Sequence, residues 1–142
     1  MKKTSVIFAG LLMLGAVPML AAADSTTLYD QLGGKPAITK IVDGMVGHIA
    51  GDTRINSFFA NANMPRLKML LVEQICADTG GPCAYTGKSM ADAHKGMNID
   101  SAQFNALVED LQLSFADNNV PIGAGNKLLA ILAPMKKDVD RK

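Results

Sequence analysis

Apolar residues recur at three- and four-residue steps in four separate segments of the chain. The segments are 38–49, 67–75, 104–115 and 128–139. This spacing places the apolar side chains on one face of an α-helix, and no segment shows the sustained alternation typical of a half-buried β-strand. The sequence therefore predicts an all-α fold, and a length of 142 residues predicts one domain.

Helix stops and caps separate these segments. Pro65 suits the first turn of the second segment, and the run Thr-Gly-Gly-Pro at 79–82 ends it. Asp100 and Gln103 have the spacing of a capping box at the start of the third segment. The charged segment 136–142 is expected to fray, as chain termini commonly do.

The N-terminus carries the pattern of a secretory signal peptide. A positive start is followed by an apolar run over residues 6–20 and by three alanines at 21–23. The alternative is a membrane anchor, although the apolar run is short for a full span. We expect residues 1–23 to be removed on export to the periplasm, which leaves residues 24–142 as the mature domain.

The charge of the chain argues against nucleic acid as a partner. The formal net charge is +1, and loss of Lys2 and Lys3 with the leader lowers it to −1. A near-neutral domain without a basic stripe is a poor nucleic-acid binder, because such binding depends on neutralising phosphates. No second long apolar segment follows the leader, so we expect no membrane contact after cleavage.

Two cysteines, Cys76 and Cys83, lie in the predicted mature domain. An oxidising compartment favours a disulfide between them. A free thiol pair or a metal site is the alternative, although the spacing C-x6-C is not a zinc pattern. The chain also lacks a C-x-x-C-H motif, so covalent attachment of a cofactor through the thioether bonds of that motif is excluded.

One of the two histidines, His94, stands among the apolar residues Met90, Ala93 and Met97. A neutral imidazole that faces an apolar cavity is what axial ligation of heme iron needs. A lone histidine among apolar residues is more often a core or surface residue, so spacing alone does not establish ligation. The other histidine, His48, is expected at the surface or between packed helices.

Several motifs along the chain occur together in a characteristic order. They are Leu28-Tyr29-Asp30-Gln31-Leu32-Gly33-Gly34 with Ala37-Ile38, Phe58-Phe59, Asn63-Met64-Pro65-Arg66-Leu67-Lys68, Gly80-Gly81-Pro82 with Tyr85-Thr86-Gly87, and Ala93-His94-Lys95-Gly96-Met97-Asn98-Ile99. A chain with these motifs resembles a truncated hemoglobin of group I. The match runs from about Thr26 to Val139, nearly all of the predicted mature chain.

The resemblance implies a two-over-two helical sandwich around heme b, with His94 as the proximal iron ligand. It also implies that Arg66 or Lys68 pairs with a heme propionate; the alternative for both is a solvated charge on the helix surface. Nine side chains are implied to contact the heme, namely Phe59, Leu67, Leu71, Tyr85, Met90, Ile99, Phe104, Leu107 and Leu132.

The sequence departs from the family where bound oxygen is held. The usual group I pocket offers a tyrosine and a glutamine as hydrogen-bond donors, whereas the matching positions here are Val46, Leu67 and Leu71. A hydrogen bond to a charged group contributes roughly 1.5 to 3 kcal/mol, so we expect fast oxygen release or ready autoxidation. Carbon monoxide and nitric oxide should still bind well. Gln74 is the nearest polar candidate, and we expect it to face solvent.

The resemblance favours reversible binding of a diatomic gas (oxygen, nitric oxide or carbon monoxide) by a carrier rather than by an enzyme. The alternative is a heme enzyme that removes nitric oxide or peroxide with electrons from a separate reductase. A third hypothesis is a heme-free helical binding module stabilised by its disulfide. Heme content separates the third hypothesis from the first two, and turnover of nitric oxide separates the second from the first.

Overall fold

The computed structural model describes residues 26–140, and this part of the chain contains helices and no strand. The predicted all-α class is confirmed. The helices are α1 (Leu28–Gln31), α2 (Gly34–Gly51), α3 (Met64–Asp78), α4 (Met90–His94), α5 (Ser101–Asp117), α6 (Ile122–Leu132) and α7 (Lys136–Val139), with 3-10 turns at Asn56–Phe59 and Ala133–Met135. No helix within 26–140 is long and apolar enough to span a bilayer. The predicted leader, residues 1–23, lies outside the described residues.

Side-chain caps fix the starts of the helices that frame the site. The Asn63 side chain accepts a 3.1 Å hydrogen bond from the Arg66 amide at the start of α3. At the start of α5, the Asp100 carboxylate accepts from the Gln103 amide at 2.8 Å, and the Gln103 side chain accepts from the Asp100 amide at 3.0 Å. The predicted capping box is therefore confirmed.

Helices α2 and α5 pack against each other through the centre of the domain. Ser114 of α5 is fully buried, and its hydroxyl donates a 2.6 Å hydrogen bond to the Ile41 carbonyl oxygen of α2. A Cβ atom added at Gly44 would lie 2.5 Å from the Ser114 Oγ. The absence of a side chain at Gly44 thus allows the two helices to approach closely.

The buried core continues from this helix pair to α3 and α6. Its best-buried aliphatic members, which are 0 to 1% exposed, are Ile38, Ile41, Val42 and Leu128. Met45 and Ile49 of α2 belong to this core and also line the cavity described below.

The C-terminal segment is more ordered than the sequence indicates. Residues Lys136–Val139 form α7, which packs against α4, and Val139 is buried. Asp140 follows the helix and accepts a 3.0 Å hydrogen bond from the Ser101 hydroxyl. The expectation of a frayed tail is therefore wrong for 136–140, because one apolar side chain in the charged segment anchors it.

Cys76 and Cys83 form a disulfide with an S–S distance of 2.02 Å. The bond joins the end of α3 to the loop that leads to α4. The disulfide interpretation of this pair is confirmed, and the alternatives of a free thiol pair or a metal site are excluded.

Candidate functional site

A cavity of about 540 Å³ lies among α2, α3, α4 and α5. This volume falls within the range of pockets that hold cofactors and small molecules. Most of the side chains that line it are aliphatic, aromatic or thioether groups, and the polar ones among the described residues are Arg66, Gln74, Tyr85, Thr86, Lys88, His94 and Gln103. The cavity can therefore hold a large apolar ligand with a few polar contacts.

His94 ends α4 with its imidazole in the cavity wall. Its Nδ1 lies 2.8 Å from the Met90 carbonyl oxygen. A carbonyl oxygen only accepts hydrogen bonds, so Nδ1 carries a proton, and in the neutral ring Nε2 then keeps its lone pair. Metal-binding histidines are commonly oriented in this way by a backbone carbonyl. The geometry therefore fits a neutral imidazole that can ligate a metal through Nε2.

Eight of the nine side chains predicted to contact heme line the same cavity as His94. They are Phe59, Leu67, Leu71, Tyr85, Met90, Ile99, Phe104 and Leu107. The structure thus brings together residues that are up to 48 positions apart in the chain, from Phe59 to Leu107 (107 − 59 = 48). Their contact with a bound heme stays a prediction.

Leu132 is the exception, because it does not line this cavity. It is the last residue of α6 and packs against the hydrophobic core. Its contact with a bound heme stays a prediction. Val139 of α7, which follows the 3-10 segment Ala133–Met135, is the C-terminal residue that reaches the cavity.

On α2, the cavity is lined by Met45 and Ile49. Val46, which matches the tyrosine position of the family, is half-buried and packs against the core instead. One residue along a helix rotates a side chain by about 100°, and sequence matching does not fix the rotation of α2. The α2 stripe itself contained the signal, because Met45 and Ile49 are four residues apart.

Gln74 lines the cavity, so the expectation that it faces solvent is wrong. Its amide nitrogen lies 3.3 Å from the Met135 sulfur and 3.8 Å from the Met90 sulfur. Thioether sulfurs are weak acceptors, so this amide keeps donor capacity toward the cavity. Its neighbours come from α4 and the last 3-10 turn, which are distant in sequence.

Two basic side chains, Arg66 and Lys88, lie at the cavity. Both are exposed, as expected for charges at a rim rather than in an apolar interior. Lys68, the other candidate for pairing with a propionate, instead lies 2.9 Å from the Asp43 carboxylate. Of the two candidates, the structure places only Arg66 where it can meet an anionic group of a bound ligand.

His48 is separate from the cavity. Its Nε2 lies 2.7 Å from the Asp117 carboxylate on α5, and both side chains are partly exposed. His48 is therefore a residue between packed helices at the surface, as the sequence predicted.

The loop between α3 and α4 lines the cavity with residues 85–88. The Tyr85 hydroxyl donates to the Lys88 carbonyl oxygen at 2.7 Å. The Thr86 amide and hydroxyl both donate to the Glu73 carboxylate, at 3.1 and 2.7 Å. These two hydrogen bonds hold the pKa of Glu73 below its usual range, so the carboxylate stays charged and the loop stays attached to α3.

The model of the bacterial-like globin family matches residues 27–141. The chain belongs to this family. Among its relatives, the group 1 truncated hemoglobin of Mycolicibacterium paratuberculosis is 30% identical over 117 residues, which cover 82% of this chain and 86% of the relative. The resemblance to group I truncated hemoglobins is confirmed.

Solved structures agree with this globin assignment. The truncated hemoglobin of Tetrahymena pyriformis in the Fe(III) form superposes with a TM-score of 0.79 at 30% identity, covering 82% of this chain and 100% of that one. The 2/2 hemoglobin of Synechococcus, in the cyanomet state with covalently attached heme, has a TM-score of 0.75 at 28% identity, covering 80% and 98% of the two chains. The predicted two-over-two globin fold is therefore confirmed.

Membership of the globin family implies heme as the bound group, and the residues present fit it. An apolar cavity of suitable volume contains one imidazole with its Nε2 lone pair free. Arg66 and Lys88 at the rim suit the negative charge of propionates. Heme bound here would supply the iron to which a diatomic gas attaches.

Proposed function

We propose that this globin binds a diatomic gas reversibly at heme b iron held by His94. The observation that carries the proposal is the imidazole in the wall of the apolar cavity, with Nδ1 donating to the Met90 carbonyl oxygen at 2.8 Å. This hydrogen bond presets both the tautomer and the direction of the ring. Non-covalent heme b is favoured because both cysteines are used in the disulfide and neither is free to form a thioether.

One wall of the cavity is built by α2, the turn Asn56–Phe59 and the first half of α3. The composition of this wall favours carbon monoxide and nitric oxide over oxygen. Its lining side chains are apolar apart from the exposed Arg66. Bound oxygen carries partial negative charge and gains from a donor, whereas carbon monoxide and nitric oxide depend on one much less. We propose that carbon monoxide and nitric oxide are held tightly and that oxygen leaves quickly or oxidises the iron.

The same wall argues against the enzymatic alternatives. Peroxide cleavage needs an acid–base group beside the bound ligand, and the described residues of α2 and the first half of α3 that line the cavity offer none. Nitric oxide dioxygenation needs a long-lived oxygen complex, which an apolar wall disfavours. Ferrous iron must nevertheless be maintained, so we propose a separate electron-donating reductase as a partner.

We further propose that the globin is exported to the periplasm. The leader pattern of residues 1–23 supports this location, and so does the Cys76–Cys83 disulfide, since disulfides persist in oxidising compartments. Removal of the leader would leave a globin domain without membrane attachment.

Visible absorption spectra test the function directly. The protein, produced with heme supplied, would be recorded as isolated, after dithionite, and after carbon monoxide. We expect a Soret band that shifts with carbon monoxide, and we expect His94→Ala to lose or alter it. His48→Ala is the matched control, because His48 pairs with Asp117 away from the cavity, and its spectra should equal those of the wild type.

Two outcomes would contradict the proposal. A folded protein without a Soret band would leave a helical module that does not bind heme. Six-coordinate ferrous bands before gas is added would show that a side chain occupies the position assigned to the gas.

A further inference from the structure

The loop between α3 and α4, residues 79–89, links two walls of the heme cavity. It leaves the end of α3 and leads directly into α4, whose last residue is His94. Four consecutive loop residues, 85–88, line the cavity. The position of this loop therefore bears on how firmly a bound heme is enclosed.

Beyond Gly80, three contacts attach the loop to α3. The Gly81 amide donates to the Cys76 carbonyl oxygen at 2.8 Å. The Cys76–Cys83 disulfide provides the covalent contact, two residues before the first lining residue. Further on, Thr86 donates its two hydrogen bonds to Glu73. The hydrogen bonds to Glu73 are exposed to water, whereas Cys76 is completely buried, so the disulfide is the contact that water does not weaken.

The close fit around the disulfide leaves little room for the loop to adjust while the bond is intact. A Cβ atom at Gly81 would lie 2.7 Å from the Cys76 sulfur and 2.8 Å from the Cys76 carbonyl oxygen. Gly80, the preceding residue, has a φ of +86° and makes the sharp turn out of α3. Cys83 is half-buried whereas Cys76 is fully buried, so Cys83 is the more accessible of the two cysteines to a reductant.

We propose that this globin releases its heme under reducing conditions, with the Cys76–Cys83 disulfide as the redox site that controls release. This inference rests on the proposed function in that heme occupies the cavity. A dithiol reductant attacks the Cys83 sulfur through one thiolate, and Cys76 leaves as the thiol. The second thiol of the reductant then displaces Cys83, which yields two cysteine thiols and the oxidised reductant. The loop is then held only by hydrogen bonds, and the cavity opens along residues 85–88.

Transfer of heme to a scavenging apoglobin in excess measures the release rate. The carbonmonoxy ferrous form would be used throughout, so that the reductant does not change the iron. A phosphine would be the reductant, because it reduces a disulfide without adding a new thiol to the solution. We expect about tenfold faster heme transfer after reduction, since the loop closure supplied by the disulfide is lost.

The matched variant is Cys76→Ser combined with Cys83→Ser. It should transfer heme at the fast rate with or without phosphine, while far-ultraviolet circular dichroism shows an intact helical fold. Glu73→Gln is a second variant that weakens the Thr86 contact and leaves the disulfide in place. It should keep most of its response to phosphine.

Several results would overturn the inference. Equal transfer rates for oxidised and reduced wild type would do so, and so would free thiols in the purified protein or loss of the helical fold on reduction. A protein that binds no heme would instead refute the proposed function, and the two failures are thereby distinguished.

Discussion

The imidazole of His94 donates from Nδ1 to the carbonyl oxygen of Met90, one turn earlier on α4, at 2.8 Å. This hydrogen bond lies within a helix of only five residues. The Ser89 hydroxyl caps the start of the helix by accepting a 3.1 Å hydrogen bond from the Asp92 amide. A short, capped helix thus determines the orientation of the residue that we propose as the iron ligand. The first prediction tests this bond.

His94→Ala should be rescued by imidazole added to the heme-reconstituted protein. Imidazole can both ligate the iron and donate to the Met90 carbonyl oxygen, whereas 1-methylimidazole can ligate but has no N–H to donate. We expect the methylated compound to bind about three- to tenfold more weakly, the effect of one ordinary hydrogen bond. Spectral titration measures both affinities.

The ring methyl group of 1-methylimidazole needs a control for size. The isomer 4-methylimidazole keeps the N–H at similar bulk and should bind nearly as well as imidazole. Equal affinities for all three compounds would show that the Met90 carbonyl oxygen does not orient the ligand.

Leu71→Gln should slow oxygen release. The substitution places an amide donor on the apolar wall that Leu71 shares with Leu67. A hydrogen bond to charged bound oxygen would lower its dissociation rate by about ten- to hundredfold. Carbon monoxide release should change little. Flash photolysis and stopped-flow mixing measure the two rates.

Leu71→Met is the matched control, because it changes shape without adding a donor. Its oxygen dissociation should stay close to that of the wild type. If the glutamine variant also releases oxygen as fast as the wild type, Leu71 does not face the gas.

Most of the fold could be predicted from the sequence because the apolar stripes at helical spacing, the Gly-Gly-Pro stop and the capping box are local signals. The place of His94 at an apolar cavity could be predicted once the motifs around it were combined, and its ligation of iron stays a prediction. Tyr85 and Phe104 followed from the same resemblance. These predictions depend on short stretches of chain, in which neighbours in sequence are neighbours in space.

The parts that were missed depend on packing between distant segments. Met45 rather than Val46 lines the cavity, because the rotation of α2 is set by its contact with α5. Gln74 faces inward to contact Met135, 61 residues away. Val139 lines the cavity from α7, which packs against α4, more than 40 residues earlier in the chain. No local pattern carries that information.

Gly44→Ala and Gly47→Ala, three residues apart on α2, should have opposite effects on stability. A Cβ at Gly44 would meet the buried Ser114 hydroxyl at 2.5 Å, whereas a Cβ at Gly47 meets nothing within 4 Å. Alanine at position 44 should cost about 1 to 3 kcal/mol by overpacking. Alanine at position 47 should add about 0.5 to 1 kcal/mol through helix propensity. Urea unfolding measures both, and equal shifts would show that α2 and α5 are not in close contact at Gly44.

Asp110→Asn should change how stability depends on pH. Asp110 is 3% exposed, and its Oδ2 has no hydrogen-bond partner within the described residues. Burial, and secondarily the charge of Asp52, raise the pKa of Asp110 above its usual range. The folded state then binds this proton more tightly than the unfolded state, so the contribution of Asp110 to stability falls as pH rises from about 3.9 through the raised pKa. The asparagine variant lacks this loss, and it should gain stability relative to the wild type as pH rises from 3 to 7.

Unfolding by urea at a series of pH values measures the difference. Asp117→Asn is the control, because Asp117 also lies on α5 but its side chain is 61% exposed. An exposed carboxylate keeps most of its hydration, so its replacement should not reproduce the trend of Asp110→Asn between pH 3 and 5. If the wild type and Asp110→Asn instead show parallel pH profiles, the Asp110 carboxyl must be hydrated in the folded protein, and the contact between α2 and α5 must admit water at that point.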